Sequence, residues 1–168
     1  MKKAIISLAI VAMVTFVGMN YINASDEAWF DMEKCEMCVP LMTQEGLMGN
    51  MTWEHHSVSN GLMSVCTVAE GYMDKYKTAK MGMAKVHEKM MAGEKVELCN
   101  MCISMGGTIA KGLTMDNVET MHGSVMLMTS DNAELVTEIQ NWGAKTTEEM
   151  HKMMAHSEEA DHSGDEGK

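Results

Sequence analysis

Residues 35–38 of the chain read Cys-Glu-Met-Cys, and residues 99–102 read Cys-Asn-Met-Cys. Both motifs have methionine in the third position, and together they contain four of the five cysteines. Two thiols separated by two residues can hold one metal ion from both sides or close a disulfide. The sequence therefore points to soft-metal or thiol chemistry. The recurrence of the motif also suggests that the chain contains two similar halves.

The chain around these motifs predicts an internal duplication. Each unit runs from a Cys-x-x-Cys motif through a short helix and a β-hairpin to a long helix, over about residues 35–93 and 99–156. The two motifs are 64 residues apart, and the turn glycines Gly61 and Gly123 are 62 residues apart. Because the same elements recur in the same order at nearly the same spacing, we expect two equivalent units.

Two stretches have the composition of β-hairpins. Residues 53–68 contain Asn60-Gly61 near their centre, and residues 117–129 contain His122-Gly123 at the corresponding place. Asn-Gly favours the tight turn that joins antiparallel strands. On the strand after the first turn, Cys66 falls on a largely apolar side, which predicts a buried free cysteine.

Two long amphipathic helices are predicted after the hairpins. The first covers residues 70–92, and the second begins after a Ser-Asp-Asn cap at 130–132. Apolar residues recur in both at intervals of three and four, which places them on one stripe. The stripes consist of Tyr72, Tyr76, Ala79, Met83, Val86 and Met90 in the first helix and of Leu135, Ile139, Trp142 and Met153 in the second.

The middle of each stripe provides a matched test of the duplication. Tyr76 and Ile139 are predicted to be equivalent core positions, since each has stripe partners four residues before and three after. The next residues along the chain, Lys77 and Gln140, are predicted to turn away from the core and to tolerate substitution.

These elements predict an α+β fold with a four-stranded antiparallel sheet covered by two helices. Residues 25–156 would form this single duplicated domain. A pseudo-twofold axis between the halves would bring both cysteine pairs together, although symmetry could equally place them far apart.

The N-terminus predicts export. Lys2 and Lys3 precede an apolar run over residues 4–17, and Ala24 offers a small residue at a cleavage point. Residues 1–24 are therefore predicted to be a secretory signal peptide, since the run is short for a membrane span. We expect a periplasmic or secreted protein with no stable membrane span after the signal is removed.

The C-terminal residues 157–168 are polar and acidic and are predicted to form a disordered, histidine-containing tail. His151, His156 and His162 are spaced by five and six residues, which suits a fixed helical metal site poorly. His55 and His56 are adjacent on a predicted strand and should point to opposite faces.

The mature chain is acidic and rich in methionine. Without Lys2 and Lys3 the formal charge changes from −11 to −13, and every residue in the Lys+Arg count is lysine. A nucleic-acid partner is excluded on this basis, because such binding needs a basic face and commonly arginine. After Ala24 there are 20 methionines and seven leucines, so most methionines should do the packing work of leucine.

The cysteine spacing predicts one tetrahedral metal site, because two-residue gaps are typical of zinc knuckles. Methionine thioethers are an additional soft ligand type for copper. The ion would be zinc or copper, and the predicted ligands are Cys35, Cys38, Cys99 and Cys102, with Met37 and Met101 as soft partners. An exported iron–sulfur protein is less favoured, because cluster assembly takes place inside the cell.

Two other interpretations use the same cysteines. An oxidising compartment favours disulfides, which would make the protein a stapled structural or interaction module. A redox-active dithiol would require a thiol of low pKa, and Cys38, which precedes Pro40 at a predicted helix start, suits this.

The sequence lacks a nucleophile elbow, a phosphate loop, a dinucleotide glycine pattern and a His-Glu-x-x-His helix, so it favours a binding protein over an enzyme.

Overall fold

The computed structural model describes residues 28–162, and their side chains as far as residue 153. The predicted signal peptide, residues 1–24, and the end of the predicted tail, residues 163–168, lie outside this range. No helix among the described residues is long and apolar enough to span a bilayer.

The chain alternates between helices and hairpins in two successive halves. The first half contains α1 (Val39–Met42), a 3₁₀ turn (Met48–Asn50), β1 (Met51–Val58), β2 (Gly61–Val68) and α2 (Met73–Met91). The second half contains α3 (Asn100–Ala110), β3 (Thr114–Thr120), β4 (Gly123–Thr129) and α4 (Ala133–His162). This order confirms the predicted α+β class.

The four strands form one antiparallel sheet in the order β1-β2-β4-β3. The two hairpins therefore meet through their second strands, with Val65 of β2 opposite Val125 of β4. The predicted four-stranded antiparallel sheet is confirmed. The duplication of the two units stays a prediction.

Both hairpins have two-residue turns in the same register. Val58 pairs with Gly61 in the first hairpin, and Thr120 pairs with Gly123 in the second. A Cβ atom at Gly61 would collide with the carbonyl oxygen of Met128, and one at Gly123 would collide with that of Cys66. The glycines are needed because the two central strands approach each other at these points.

Both long helices pack on the same face of the sheet. Tyr76 of α2 shares a buried cluster with Cys66, and Ile139 of α4 shares another with Leu62 and Met128. Leu62 and Cys66 are four positions apart on β2, and side chains at an even offset along a strand lie on the same face of the sheet. The prediction of a buried free Cys66 is confirmed, since its side chain is 5% exposed.

Each long helix also reaches the hairpin of the other half. The Tyr76 hydroxyl of α2 lies 2.7 Å from Ser124 Oγ on β4. The Gln140 amide of α4 donates to the Val58 carbonyl of β1 at 2.9 Å and to the Gly61 carbonyl of β2 at 3.1 Å. The two halves therefore interlock.

The contacts of Gln140 contradict the prediction that its side chain turns away from the rest of the fold. Truncating this side chain would remove the donor that satisfies two hairpin carbonyls, so we expect it to cost stability even though the residue lies off the apolar stripe.

The predicted helix cap at Asn132 is confirmed, because its Oδ1 accepts a hydrogen bond from the backbone N–H of Glu134 at 2.9 Å.

Several details of the elements differ from the sequence analysis. Strand β3 begins at Thr114 rather than at residue 117. Helix α4 continues to His162, past the predicted start of the tail at residue 157. Met153, predicted to lie on the apolar stripe of this helix, is 36% exposed, whereas Thr146 is buried.

The second face of the sheet carries no described helix. His56 lies on it beside Glu54, whereas His55 faces the helices, with its ring edge-on to Trp142 at 5.5 Å. The two histidines thus point to opposite faces, as predicted. Edge strand β3 is exposed along its whole length. Its Val118 lies on the same uncovered face of the sheet as His56 and is 60% exposed.

Truncation of the two core positions is expected to destabilise the fold. Ile139 is fully buried and Tyr76 is 5% exposed, so Ile139→Ala and Tyr76→Ala should each lower the free energy of unfolding by about 2–5 kcal/mol. The exposed neighbours Lys77 and Asn141 are the matched controls, and their alanine variants should stay within about 0.5 kcal/mol of the parent. Urea unfolding followed by circular dichroism measures all four variants. Equal midpoints for Ile139→Ala and Asn141→Ala would show that α4 is not docked in this way.

Candidate metal centre

The two cysteine motifs meet at one point in the structure. The four sulfur atoms of Cys35, Cys38, Cys99 and Cys102 all lie within 4.8 Å of one another. The separation is 3.7 Å for Cys35–Cys102, 3.9 Å for Cys38–Cys99 and 4.0 Å for Cys38–Cys102. The sequence left open whether the two cysteine pairs lie together or far apart, and in the structure they lie together.

These separations match a single tetrahedral ion. A zinc–sulfur bond of about 2.3 Å implies about 3.8 Å between neighbouring sulfurs of a tetrahedron. A disulfide would instead place two sulfurs about 2.05 Å apart. All five cysteines are free thiols, so the four sulfurs converge without pairing. A multi-iron cluster would spread its thiolates over several irons and hold them farther apart than one shared ion does.

A tight turn positions the first motif. The backbone N–H groups of Cys38 and Val39 both donate to the Cys35 carbonyl, at 2.8 and 3.0 Å. Cys38 is the N-cap of α1, and Pro40 follows in the first turn, where a missing N–H costs nothing. The turn folds the two cysteines of this motif back toward each other.

The second motif lies at the start of α3. Cys99 is the N-cap, with extended backbone angles of −76° and 166°, and its carbonyl accepts from the Ile103 N–H at 3.0 Å. Cys102 therefore lies inside the first turn of the helix, whereas the sequence suggested a helix that follows it. The two motifs thus present their thiols from different positions relative to their helices.

Three groups outside the second motif hold it in place. The Met101 N–H donates to the Trp29 carbonyl at 3.1 Å, and the Met101 carbonyl accepts from Trp142 Nε1 at 3.2 Å. The Asn100 amide donates to the Ala28 carbonyl at 3.0 Å. The residues before the first motif and the long helix α4 therefore fix the second motif.

Glu36 joins the segments that carry the two motifs. Its N–H donates to the Glu97 carbonyl at 2.9 Å, and its carboxylate accepts from the Glu97 N–H at 3.1 Å and from Lys89 Nζ at 3.2 Å. The Glu97 N–H, followed by Lys89, holds the pKa of Glu36 below its ordinary value. Glu36 lies directly after Cys35, and Glu97 lies two residues before Cys99, so this bridge joins the two segments right beside the thiol pairs.

The positioning roles of Trp29, Glu36 and Trp142 were not predicted from the sequence. Trp142 was expected only to pack in the apolar stripe of its helix, and Glu36 occupies a position at which the two motifs differ. The position of Glu36 between the first two cysteines was the one signal that could have drawn attention to it. Its partner Glu97 is separated from it by the whole first hairpin and α2, so no local pattern identifies the contact.

The sulfur atoms lie in an apolar, methionine-rich environment. Cys35 and Cys99 are 1% exposed and Cys38 is 3% exposed, whereas Cys102 is partly exposed. The buried Leu98 belongs to the same cluster, and the partly buried residues around it are Met32, Met37, Met90, Val96, Met101 and Ile103. Both predicted thioether ligands, Met37 and Met101, therefore pack against the cluster that contains the thiols, while their coordination of a metal stays a prediction.

The thiols perturb one another's protonation. The contact with Cys102 lowers the pKa of the Cys35 thiol to about 7 and also lowers that of Cys99. The same contacts, first with Cys35, raise the pKa of Cys102. Neighbouring sulfurs can share protons, but four buried thiolates repel one another unless a cation compensates their charge.

The chain matches no protein-family model, and comparison with curated proteins and with solved structures gives no significant match.

Metal binding at this site is expected to weaken as the pH falls. Each cysteine must lose its proton to bind a metal, and Cys102, with its raised pKa, keeps that proton until the metal displaces it. Affinity should therefore fall between about pH 8 and about pH 5, across the pKa of Cys35 near 7. Titration calorimetry in two buffers of different ionisation enthalpy would count the protons released. A binding constant independent of pH, with no proton release, would contradict thiolate ligation.

Loss of the Glu36 bridge is expected to weaken metal binding without unfolding the sheet. Glu36→Ala removes the carboxylate contacts to Glu97 and Lys89, so the two thiol pairs are held less firmly at the distance one ion requires. Glu33→Ala is the matched control, because Glu33 is an exposed acid in the same loop. Competition with a colorimetric chelator measures both affinities. Equal affinities for the two variants would show that the bridge does not position the thiols.

Proposed function

We propose that this chain is an exported metal-binding protein that holds one zinc or copper ion between Cys35, Cys38, Cys99 and Cys102. The convergence of four sulfurs at separations close to those of a tetrahedral thiolate site carries the proposal. The basic and apolar pattern of residues 1–24 supports export to the periplasm or the exterior.

The ligand set favours binding over catalysis. Catalytic zinc sites keep one coordination position open for water or substrate, whereas structural and storage sites are closed by protein ligands. Four cysteines would fill a tetrahedral ion, and three of them are almost completely buried. A bound ion would therefore have no position for a substrate.

Zinc and copper are favoured by different features of the site. Four thiolates at tetrahedral separations suit zinc. The methionine side chains beside the thiols, Met37 and Met101 among them, suit Cu(I), which prefers soft sulfur ligands. The charge of −13 that follows removal of Lys2 and Lys3 attracts cations of either kind.

Elemental analysis of the folded mature chain tests the proposal. After anaerobic purification and metal loading we expect about one ion of zinc or copper per chain, with the ion held by thiolates. Cys102→Ser should lose this ion. Cys66→Ala is the control, because Cys66 is a buried cysteine of a different core cluster and its variant should keep the ion.

Two further comparisons refine the result. Met37→Leu and Met101→Leu keep the packing volume, so a selective loss of copper affinity would identify thioether ligation, while unchanged affinity would confine the site to the cysteines. Mass spectrometry before and after reduction addresses the disulfide-stapled alternative. If the chain holds no stoichiometric zinc, copper or iron, and its mass shows a loss of two hydrogens per bridge, the metal-binding proposal is refuted and the disulfide-stapled module is supported.

A further inference from the structure

We propose that a low-molecular-weight disulfide releases the metal by oxidising the four cysteines into two bridges between the motifs, Cys35–Cys102 and Cys38–Cys99. This regulation rests on the proposed function, because it acts on the thiolates that would hold the ion.

The sulfur separations favour bridges between the motifs. Cys35–Cys102 is 3.7 Å, and the complementary pair Cys38–Cys99 is 3.9 Å. Closing either pair to a bond length of about 2.05 Å requires less than 2 Å of movement, which is within reach of side-chain rotation. Once both bridges have formed, no thiolate of the site is left to bind a metal.

Exposure selects the thiol that reacts first. Cys102 is partly exposed, whereas Cys35, Cys38 and Cys99 are each at most 3% exposed. An external disulfide therefore meets this sulfur before the other three.

The first bridge forms by two exchange steps. In the metal-loaded chain the proton of Cys102 has been displaced, and its thiolate attacks one sulfur of the external disulfide, which breaks the external S–S bond, forms a mixed disulfide and expels one small thiolate. The Cys35 thiolate then attacks the Cys102 sulfur, which forms the Cys35–Cys102 bond and expels the second small thiolate. Two cysteine thiolates have lost two electrons in total, and one external disulfide has been reduced to two thiolates.

The second bridge completes the release. Cys38 and Cys99 then bind the ion with two thiolates in place of four, so the ion is held weakly, and a second external disulfide oxidises them in the same way. Over both cycles two S–S bonds form in the protein and two break in the reagent. Four electrons pass to the reagent, and the metal ion leaves in an unchanged oxidation state.

Tryptic peptides distinguish these bridges from bridges within a motif. Cleavage after lysine places Cys35 and Cys38 on the peptide 35–75 and places Cys99 and Cys102 on the peptide 96–111. Bridges between the motifs join the two peptides, whereas bridges within each motif leave them separate. Cys66 also lies on the first peptide, so the Cys66→Ala variant is mapped in parallel.

The experiment treats the zinc-loaded mature chain with oxidised glutathione. Released zinc is followed with a colorimetric chelator, free thiols are blocked with N-ethylmaleimide, and the tryptic peptides are analysed by mass spectrometry. We expect loss of essentially all bound zinc in step with the joining of the two peptides. Fragmentation should assign Cys35 to Cys102 and Cys38 to Cys99, and dithiothreitol should restore zinc binding.

Three results would overturn the proposal while the metal site stands: zinc retained in the presence of the oxidant, zinc released with the two peptides separate, or peptides joined through a Cys38–Cys102 bridge. A chain that never binds zinc or another metal would instead refute the proposed function, and this regulation with it.

Discussion

The pairing of β2 with β4 is the contact on which the rest of the structure depends. It joins the two hairpins over the register from Gly61 opposite Thr129 to Thr67 opposite Gly123. Because α2 and α4 each contact the hairpin of the other half, this ladder also determines where the long helices lie. Each cysteine motif precedes the hairpin of its own half, so thiols that are 64 residues apart in the chain meet because the two hairpins pair, although the sheet contains neither motif.

The thiol cluster can be buried in only some of its charge states. Neutral thiols behave as small hydrophobic groups and can be buried at little cost. Four thiolates in the same volume would repel one another, and a divalent or soft monovalent cation is what makes that state compatible with burial. An ion that binds only the folded chain would stabilise it by about 1.4 kcal/mol for each tenfold excess of ion over its dissociation constant.

The local patterns of the sequence predict most of the secondary structure, because each is generated by residues close in the chain. The turn glycines identify both hairpins, and the three-four spacing identifies both long helices. The start of β3 was missed because residues 114–117 are exposed on both sides, so their alternation carries no apolar signal.

Contacts between distant segments could not be predicted from the sequence. Whether the motifs meet depends on how one hairpin pairs with the other, and periodicity says nothing about that pairing. The contacts of Gln140 were missed for the same reason, since its partners Val58 and Gly61 belong to the other half. The bridge from Glu36 to Glu97 likewise crosses a hairpin and a helix.

The exposed edge at β3 has a consequence for how the protein behaves at high concentration. An open strand edge offers unpaired N–H and C=O groups to any other chain, and such edges are the usual starting point of aggregation. Asp116 lies on this strand, so two copies that approach edge to edge bring like charges together, whereas the charge of Glu119 is paired with Lys80. The negative charge of Asp116 therefore opposes edge-to-edge self-association, and this effect would weaken in concentrated salt, where the charge is screened.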